Sequence, residues 1–319
     1  MSDRSNFGHD TTTEEVLAGI DLTGKRALVT GATAGIGVET GRVLAAHGAE
    51  VVLTARDMAR GEEVVQEIRQ STGSDKVSVM RLELGSLAGI RQFADQFLGK
   101  YDSLNLLINN AGVMACPYAE TDDGFEMQFG TNHLGHFLMT NLLAPALLNG
   151  APARVVALSS RAHHMAGVDF DDIGFKSREY HKWVSYGQSK TANILFAVGL
   201  EQRLGDKGVH AYAVHPGVIQ TNLARHLVQE DMEMMEKRAE DMGGWTIKTV
   251  PAGAATSVFA ATAPELEGEG GVYLEDCHVA GINDDPTADH GVRSYALDLD
   301  AAEQLWKVSE EMVGQAFSY

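Results

Sequence analysis

From Lys25 onward the chain alternates short, continuous apolar runs with longer amphipathic stretches, and this rhythm restricts the fold more than any other feature. "RALVT", "AEVVLTAR", "KVSVMRLEL", "LNLLIN", "RVVALSS" and "VHAYAVHPG" read as six strands, and "GGVYL" as a seventh. Between them lie helical stretches such as "VETGRVLAAHG", "MARGEEVVQEIRQ", "LAGIRQFADQFLGK" and "FGTNHLGHFLMTNLLAPALL". "SYGQSKTANILFAVGLEQRL" is another. Strict alternation implies an α/β fold: one doubly wound, parallel sheet of about seven strands with helices on both faces. Strands as evenly apolar as "LNLLI" fit a sheet buried on both sides. In such a sheet the loops at the carboxyl ends of the strands build the site.

The rhythm leaves three segments over. Residues 1–20 read as an N-terminal arm with a short helix capped near Thr13, ahead of one domain over 21–319. Residues 161–185 ("RAHHMAGVDFDDIGFKSREYHKWVS") and 222–249 ("NLARHLVQEDMEMMEKRAEDMGGWTIKT") read as insertions. Each fits a solvated surface loop or a binding loop. Met and Trp mixed with charge in the second favour an adaptable apolar cover.

A net charge of −19 opposes nucleic acid and anionic membranes, so neither is expected as a partner. No apolar run is long enough to span a bilayer. The N-terminus lacks the basic start and apolar core of a signal peptide. Two cysteines, Cys116 and Cys277, supply no disulfide framework. A reducing, cytoplasmic setting is the simplest expectation.

Gly31, Gly35 and Gly37 follow the first strand and open the first helix. Glycines there let the backbone approach a pyrophosphate, whose charge sits at a helix N-terminus. The second strand ends in Thr54, Ala55 and Arg56, where an NAD site usually carries a carboxylate. A guanidinium suits a 2′-phosphate, so NADP is favoured, while the adjacent Asp57 keeps NAD open. Near the middle, "SYGQSK" sets Tyr186 and Lys190 one helical turn apart. The pair is either ordinary helix surface or a tyrosine whose proton moves.

Six motifs taken together resemble the short-chain dehydrogenase/reductase family. They are "TGATAGIG" (30–37), "NNAG" (109–112), "TNHLGHF" (131–137), "VVALSS" (155–160), "YGQSK" (186–190) and "HPGVIQT" (215–221). They occur in the family's order over roughly residues 22–273, most of the chain. "NHLGHF" and the insertion before Tyr186 look most like the retinol-dehydrogenase-like and WW-domain-oxidoreductase-like branch. The resemblance implies a single Rossmann-type domain and hydride transfer between a nicotinamide and an alcohol or its ketone or aldehyde.

It also implies roles. Tyr186 would be the acid or base, its phenol lowered by the Lys190 ammonium and by a nicotinium charge, and Lys190 would also bond the nicotinamide ribose. Ser160, rather than Ser159, would bind the substrate oxygen, and Asn132 would hold a water for proton relay. The cofactor would lie against Gly31, Thr33, Ala34, Gly35, Ile36, Gly37, Arg56, Glu83 and Leu84. Asn110, Ala111, Gly112, Tyr186, Lys190, Pro216, Gly217, Val218 and Thr221 would complete its site. Glu83 departs from the family's usual Asp. No metal is expected, although His133 and His136 stand three apart. His163 and His164 read as loop residues at the pocket mouth facing the substrate. Met114, Tyr118, Met165 and Trp183 suggest an apolar, bulky substrate. Family members are often homo-oligomers. Three alternatives share these residues: a carbon–carbon double-bond reductase, an epimerase or dehydratase, and a non-catalytic NAD(P)-sensing protein.

Overall fold

The apolar runs become strands of one sheet in a computed structural model that describes residues 6–241, 244 and 246–319. In chain order, α1 (Thr13–Leu17) precedes β1 (Arg26–Val29), α2 (Gly35–Ala46), β2 (Glu50–Ala55) and α3 (Met58–Thr72). Then come β3 (Val77–Arg81), α4 (Leu87–Leu98), β4 (Leu106–Asn109) and α5 (Met127–Phe129). A π turn (Gly130–Leu134) joins α5 to α6 (Gly135–Leu142), followed by α7 (Ala144–Asn149), β5 (Ala153–Leu158) and α8 (Lys182–Leu204). The remainder is β6 (Val209–His215), α9 (Gln229–Asp241), α10 (Val250–Thr262), β7 (Val272–Glu275), β8 (His278–Val279) and α11 (Leu299–Val313).

The strand order is β3-β2-β1-β4-β5-β6-β7-β8. β1 to β7 run parallel, and β8 pairs antiparallel with β7. Seven strands match the alternation read from the sequence. The eighth has two exposed residues, too few to leave a pattern. The order reverses between β1 and β4, which opens a crevice at their carboxyl ends. One face of the sheet carries a core built with α4, α6, α8 and α11 (Phe93, Phe137, Phe196, Trp306). The other carries α1, α2, α3 and α10 (Val16, Leu44, Ile68, Val258).

Three features depart from the pattern reading. The segment 127–149 is not one helix. A π turn centred on Asn132 and a break at Leu143 divide it. Helix α8 starts at Lys182, three residues before Ser185, with the His181 ring as its N-cap. The C-terminal α11 is an element that the alternation does not reveal, because no strand follows it. Ala302, Leu305, Trp306, Ser309 and Val313 are buried at helical spacing, and Asp298 caps its start. The arm is built into the fold: Thr12 and Glu15 form a capping box, and Val16 and Leu17 are fully buried. Its residues 1–5, and Met242, Gly243 and Trp245 of the second insertion, lie outside the described residues.

Candidate active site

A cavity of about 1060 Å³ runs along the carboxyl ends of β1 to β6. One end reaches Arg56, Glu83 and Leu84; the middle reaches Gly31, Thr33, Ala34, Gly35 and Ile36, at the start of α2. The other end reaches Ser160, Tyr186 and Lys190. Asn110, Ala111, Gly112, Pro216, Gly217, Val218 and Thr221 also line it. Gly37 lies just outside. A Cβ there would come within 2.6 Å of the Gly31 carbonyl oxygen and of Asn110 Nδ2, so only glycine lets α2 start this close to β1. Such an elongated groove, with a twelve-residue helix opening into its middle, fits a dinucleotide whose pyrophosphate lies at the α2 N-terminus.

Thr30, the last residue of "RALVT", organises the turn beyond β4. Its hydroxyl oxygen accepts from the Asn110 and Ala111 N–H groups, each at 2.9 Å, and pairs with His136 Nε2 at 2.9 Å. Asn110 Nδ2 donates to the Thr30 carbonyl at 2.7 Å. Glu83 Oε1 accepts from the Gly85 N–H at 3.2 Å, bracing its own turn. Asp57, the carboxylate that keeps NAD open, caps α3 by accepting from the Arg60 N–H at 3.2 Å. Loop 216–219 is backed by the buried Lys248, whose N–H donates to the Val218 carbonyl at 2.9 Å and whose ammonium pairs with Asp276. Sequence reasoning missed Lys248, because nothing in "TIKTV" marks its contact with a strand end thirty residues away.

Tyr186 lies in the second turn of α8, and Lys190 one turn further on. Lys190 Nζ is 5.5 Å from the Tyr186 ring centre and donates to the Leu158 carbonyl at 3.0 Å. Ser160 follows β5, lies beside Tyr186, and accepts from the Ala162 N–H at 3.1 Å. The approach of the 161–165 turn to α8 depends on Gly187, where a Cβ would meet the Ala162 carbonyl oxygen at 2.7 Å. Ser159 Oγ donates to the Lys190 carbonyl at 2.8 Å, so it braces the lysine's backbone.

Burial governs the protonation of this group. It pushes the Tyr186 phenol up to about 12, against the opposing pull of the Ser160 hydroxyl. It draws the Lys190 ammonium down to about 8. Desolvation is the largest influence on the phenol, with the Lys190 ammonium 5.5 Å from the ring centre.

Asn132 sits in the π turn with its side chain committed to protein partners. Oδ1 accepts from the Val113 N–H at 2.8 Å; Nδ2 donates to the Val113 carbonyl at 3.0 Å and to Ser189 Oγ at 2.9 Å. Its main-chain carbonyl accepts from His136 Nδ1 at 3.0 Å. His133 Nε2 pairs with Ser309 Oγ of α11 at 2.8 Å. Both rings are buried and point to different partners. Among the described residues no three His, Cys, Asp or Glu side chains gather as a metal site. Cys116 and Cys277 are free, buried thiols, both pushed up by burial, Cys277 to about 12.

Met114, Met165 and Trp183 line the cavity, joined by Leu223, Leu227, Met234 and Met235 from the second insertion. Tyr118 does not: it is exposed, donates to Glu120 and packs edge-on against Tyr180. His163 and His164 also miss the pocket mouth. His163 is fully buried behind Ser160, and His164 Nε2 pairs with the Gly291 carbonyl at 2.9 Å. The turn 161–165 coils both rings away from the cavity, and a polar, aperiodic stretch carries no sign of that.

The short chain dehydrogenase family model matches residues 25–232. This chain is a short-chain dehydrogenase/reductase. It is 42% identical over 291 residues to the short-chain dehydrogenase/reductase prx1 of Penicillium roqueforti, covering 90% of this chain and 84% of that one. It is 42% identical over 295 residues to human retinol dehydrogenase 11, covering 92% and 87%. The RhlG/NADP active-site complex of Pseudomonas aeruginosa superposes with a TM-score of 0.63 at 25% identity, covering 80% of this chain and 95% of that one. The retinol-dehydrogenase-like branch read from the motifs agrees with the likeness to human retinol dehydrogenase 11. As a family member the chain is an NAD(P)-dependent oxidoreductase acting on CH–OH and C=O groups. No helix among the described residues is long and apolar enough to cross a membrane.

Proposed function

We propose that this enzyme interconverts an apolar, bulky alcohol and its aldehyde or ketone, with NADP preferred over NAD. The observation that carries the reading is the single cavity that joins Arg56 at one end to Ser160, Tyr186 and a Met- and Trp-lined wall at the other. A bound nicotinamide supplies or accepts the hydride at the carbonyl carbon. Ser160 donates a hydrogen bond to the substrate oxygen as negative charge grows there. Tyr186 Oη gives that oxygen its proton in reduction and takes it back in oxidation. A phenol held near 12 is protonated at neutral pH, the form that reduction requires. Lys190 lies on the same helix face, and its ammonium balances the phenolate left behind. Asn132 holds the 110–113 turn, and with it Gly112, against the reaction centre.

The NADP preference rests on Arg56 at the cavity's end and on Asp57 being spent as a helix cap. The apolar substrate class rests on Met114, Met165, Trp183, Leu227 and Met235. Relatives named retinol dehydrogenase point the same way.

The test is NADPH oxidation with all-trans-retinal, 4-nitrobenzaldehyde and short aldehydes, repeated with NADH. Faster turnover of the bulky aldehydes with NADPH is expected. A preference for acetaldehyde, or for NADH, would overturn the corresponding half. With an enone, the allylic alcohol is the expected product, and a saturated ketone would indicate double-bond reduction.

A further inference from the structure

Ser160 is held between Tyr186 in front and a buried imidazole behind. We propose that His163 is a positioning residue for Ser160, locking the serine's carbonyl and thereby aiming its hydroxyl at Tyr186 and the substrate oxygen. This rests on the role proposed for Ser160 above.

His163 Nδ1 lies 2.7 Å from the Ser160 carbonyl oxygen, and the His163 N–H donates to the same oxygen at 3.0 Å. On the far side, the Arg293 main-chain N–H meets His163 Nε2 at 3.2 Å. A backbone N–H can only donate, so Nε2 accepts and the ring proton sits on Nδ1, facing Ser160. The ring is fully buried, 4.4 Å from His164 and 4.9 Å from Tyr273, with Arg293 and His215 also nearby. Burial and these neighbours keep it neutral, which preserves the acceptor at Nε2.

The rest of the residue is anchored too. Its carbonyl accepts from Thr191 Oγ1 of α8 at 3.3 Å and from Tyr295 Oη of the C-terminal segment. His163 therefore ties the serine to the helix that carries Tyr186 and to residues 293–295. It does not line the cavity, whereas its neighbours Ala162 and Met165 do, so any effect on turnover must pass through Ser160.

The test compares two substitutions in the full chain. In His163→Asn the amide nitrogen stands where Nδ1 stood and keeps the bond to Ser160. In His163→Gln the longer amide reaches Arg293 and gives up Ser160. With NADPH and all-trans-retinal or 4-nitrobenzaldehyde, His163→Gln should lower kcat about tenfold, while KM for NADPH stays within about twofold. His163→Asn should keep kcat within about threefold of the native chain. In crystal structures of the two variants, Ser160 Oγ should leave Tyr186 Oη in His163→Gln and stay in His163→Asn. Equal loss of kcat in both, or an unmoved Ser160 in His163→Gln, overturns the proposal.

If His163→Gln does not fold, Tyr295→Phe removes one anchor of His163 from a half-exposed position. It should lower kcat about threefold at constant NADPH affinity, and an unchanged kcat overturns the proposal. If the native chain reduces neither aldehyde, the substrate reading fails, and the position of Ser160 in the crystals still decides this one.

Discussion

Asn132 and Val113 exchange two hydrogen bonds, N–H to Oδ1 at 2.8 Å and Nδ2 to carbonyl at 3.0 Å, as if the asparagine were one more residue of a strand. The pairing fixes the chain just after β4 to the π turn, and a third bond reaches Ser189 on α8, the helix that carries Tyr186. Asn132→Ala leaves both Val113 groups without their partner. It should cost about 1–3 kcal/mol in urea unfolding and lower kcat at least tenfold. Asn132→Asp keeps the acceptor alone and should fall between. Native stability in Asn132→Ala would remove the clamp from the account.

Tyr186→Phe deletes the phenolic proton and preserves the ring's contact with Trp183, whose centre lies 6.4 Å away. Turnover should drop by at least about a hundredfold, while NADPH binding, followed by fluorescence titration, stays within about threefold. Substantial residual turnover would take the tyrosine out of the proton step.

Arg56 lines one end of the cavity, and the Asp57 carboxylate next to it is taken up as the α3 cap. Arg56→Ala should weaken NADPH roughly tenfold to a hundredfold and leave NADH within about twofold. Equal losses for the two cofactors would sink the 2′-phosphate assignment.

The parts legible in the sequence are those with a period or a fixed register. Seven strands show as apolar runs, and Ser160, Tyr186 and Lys190 sit in motifs whose spacing the fold preserves. The parts that were not legible depend on contacts between distant segments. His163 looked like a pocket-mouth residue because "RAHHM" has no pattern that reveals a buried turn. Lys248 pairs with Asp276, and His133 with Ser309, across gaps that periodicity does not bridge.

Burial of uncharged imidazoles makes stability depend on pH. Burial lowers His133 from 6.5 to about 3 and His136 to about 4. Below pH 6.5 the unfolded chain takes up protons that the folded rings refuse, so stability falls as pH falls toward those values. Each ring contributes a slope of about 1.4 kcal/mol per pH unit within that window. His133→Phe suits the surrounding Phe129, Phe137 and Phe196 rings and removes one such slope. The variant should be less stable than the native chain at pH 6.5, because Ser309 loses its partner. That gap should close as urea unfolding is repeated at pH 5.5 and 4.5, and a constant gap would show that His133 does not titrate on unfolding.

Asp231 joins the second insertion to the start of α8. One carboxylate oxygen pairs with Lys182 Nζ and accepts from the Val228 N–H at 2.9 Å; the other accepts from Trp183 Nε1 at 3.0 Å. Lys182 and Trp183 open the helix that carries Tyr186, and Trp183 clusters with Ala115, Ala162 and Tyr186. Leu227 and Met235, on either side of Asp231, pack on that cluster. A single carboxylate thus seats α9 over the apolar end of the cavity. Asp231→Ala frees the cover and leaves an indole N–H and an ammonium unpaired. KM for a bulky aldehyde should rise about five- to tenfold, while KM for NADPH, bound at the other end, stays within about twofold. A small aldehyde fills none of the covered wall, so its KM should change little. Asp231→Asn still accepts from Trp183 and should show a smaller rise. An equal rise for small and bulky aldehydes would mean that Asp231 steadies α8 itself and that α9 does not serve as a substrate cover.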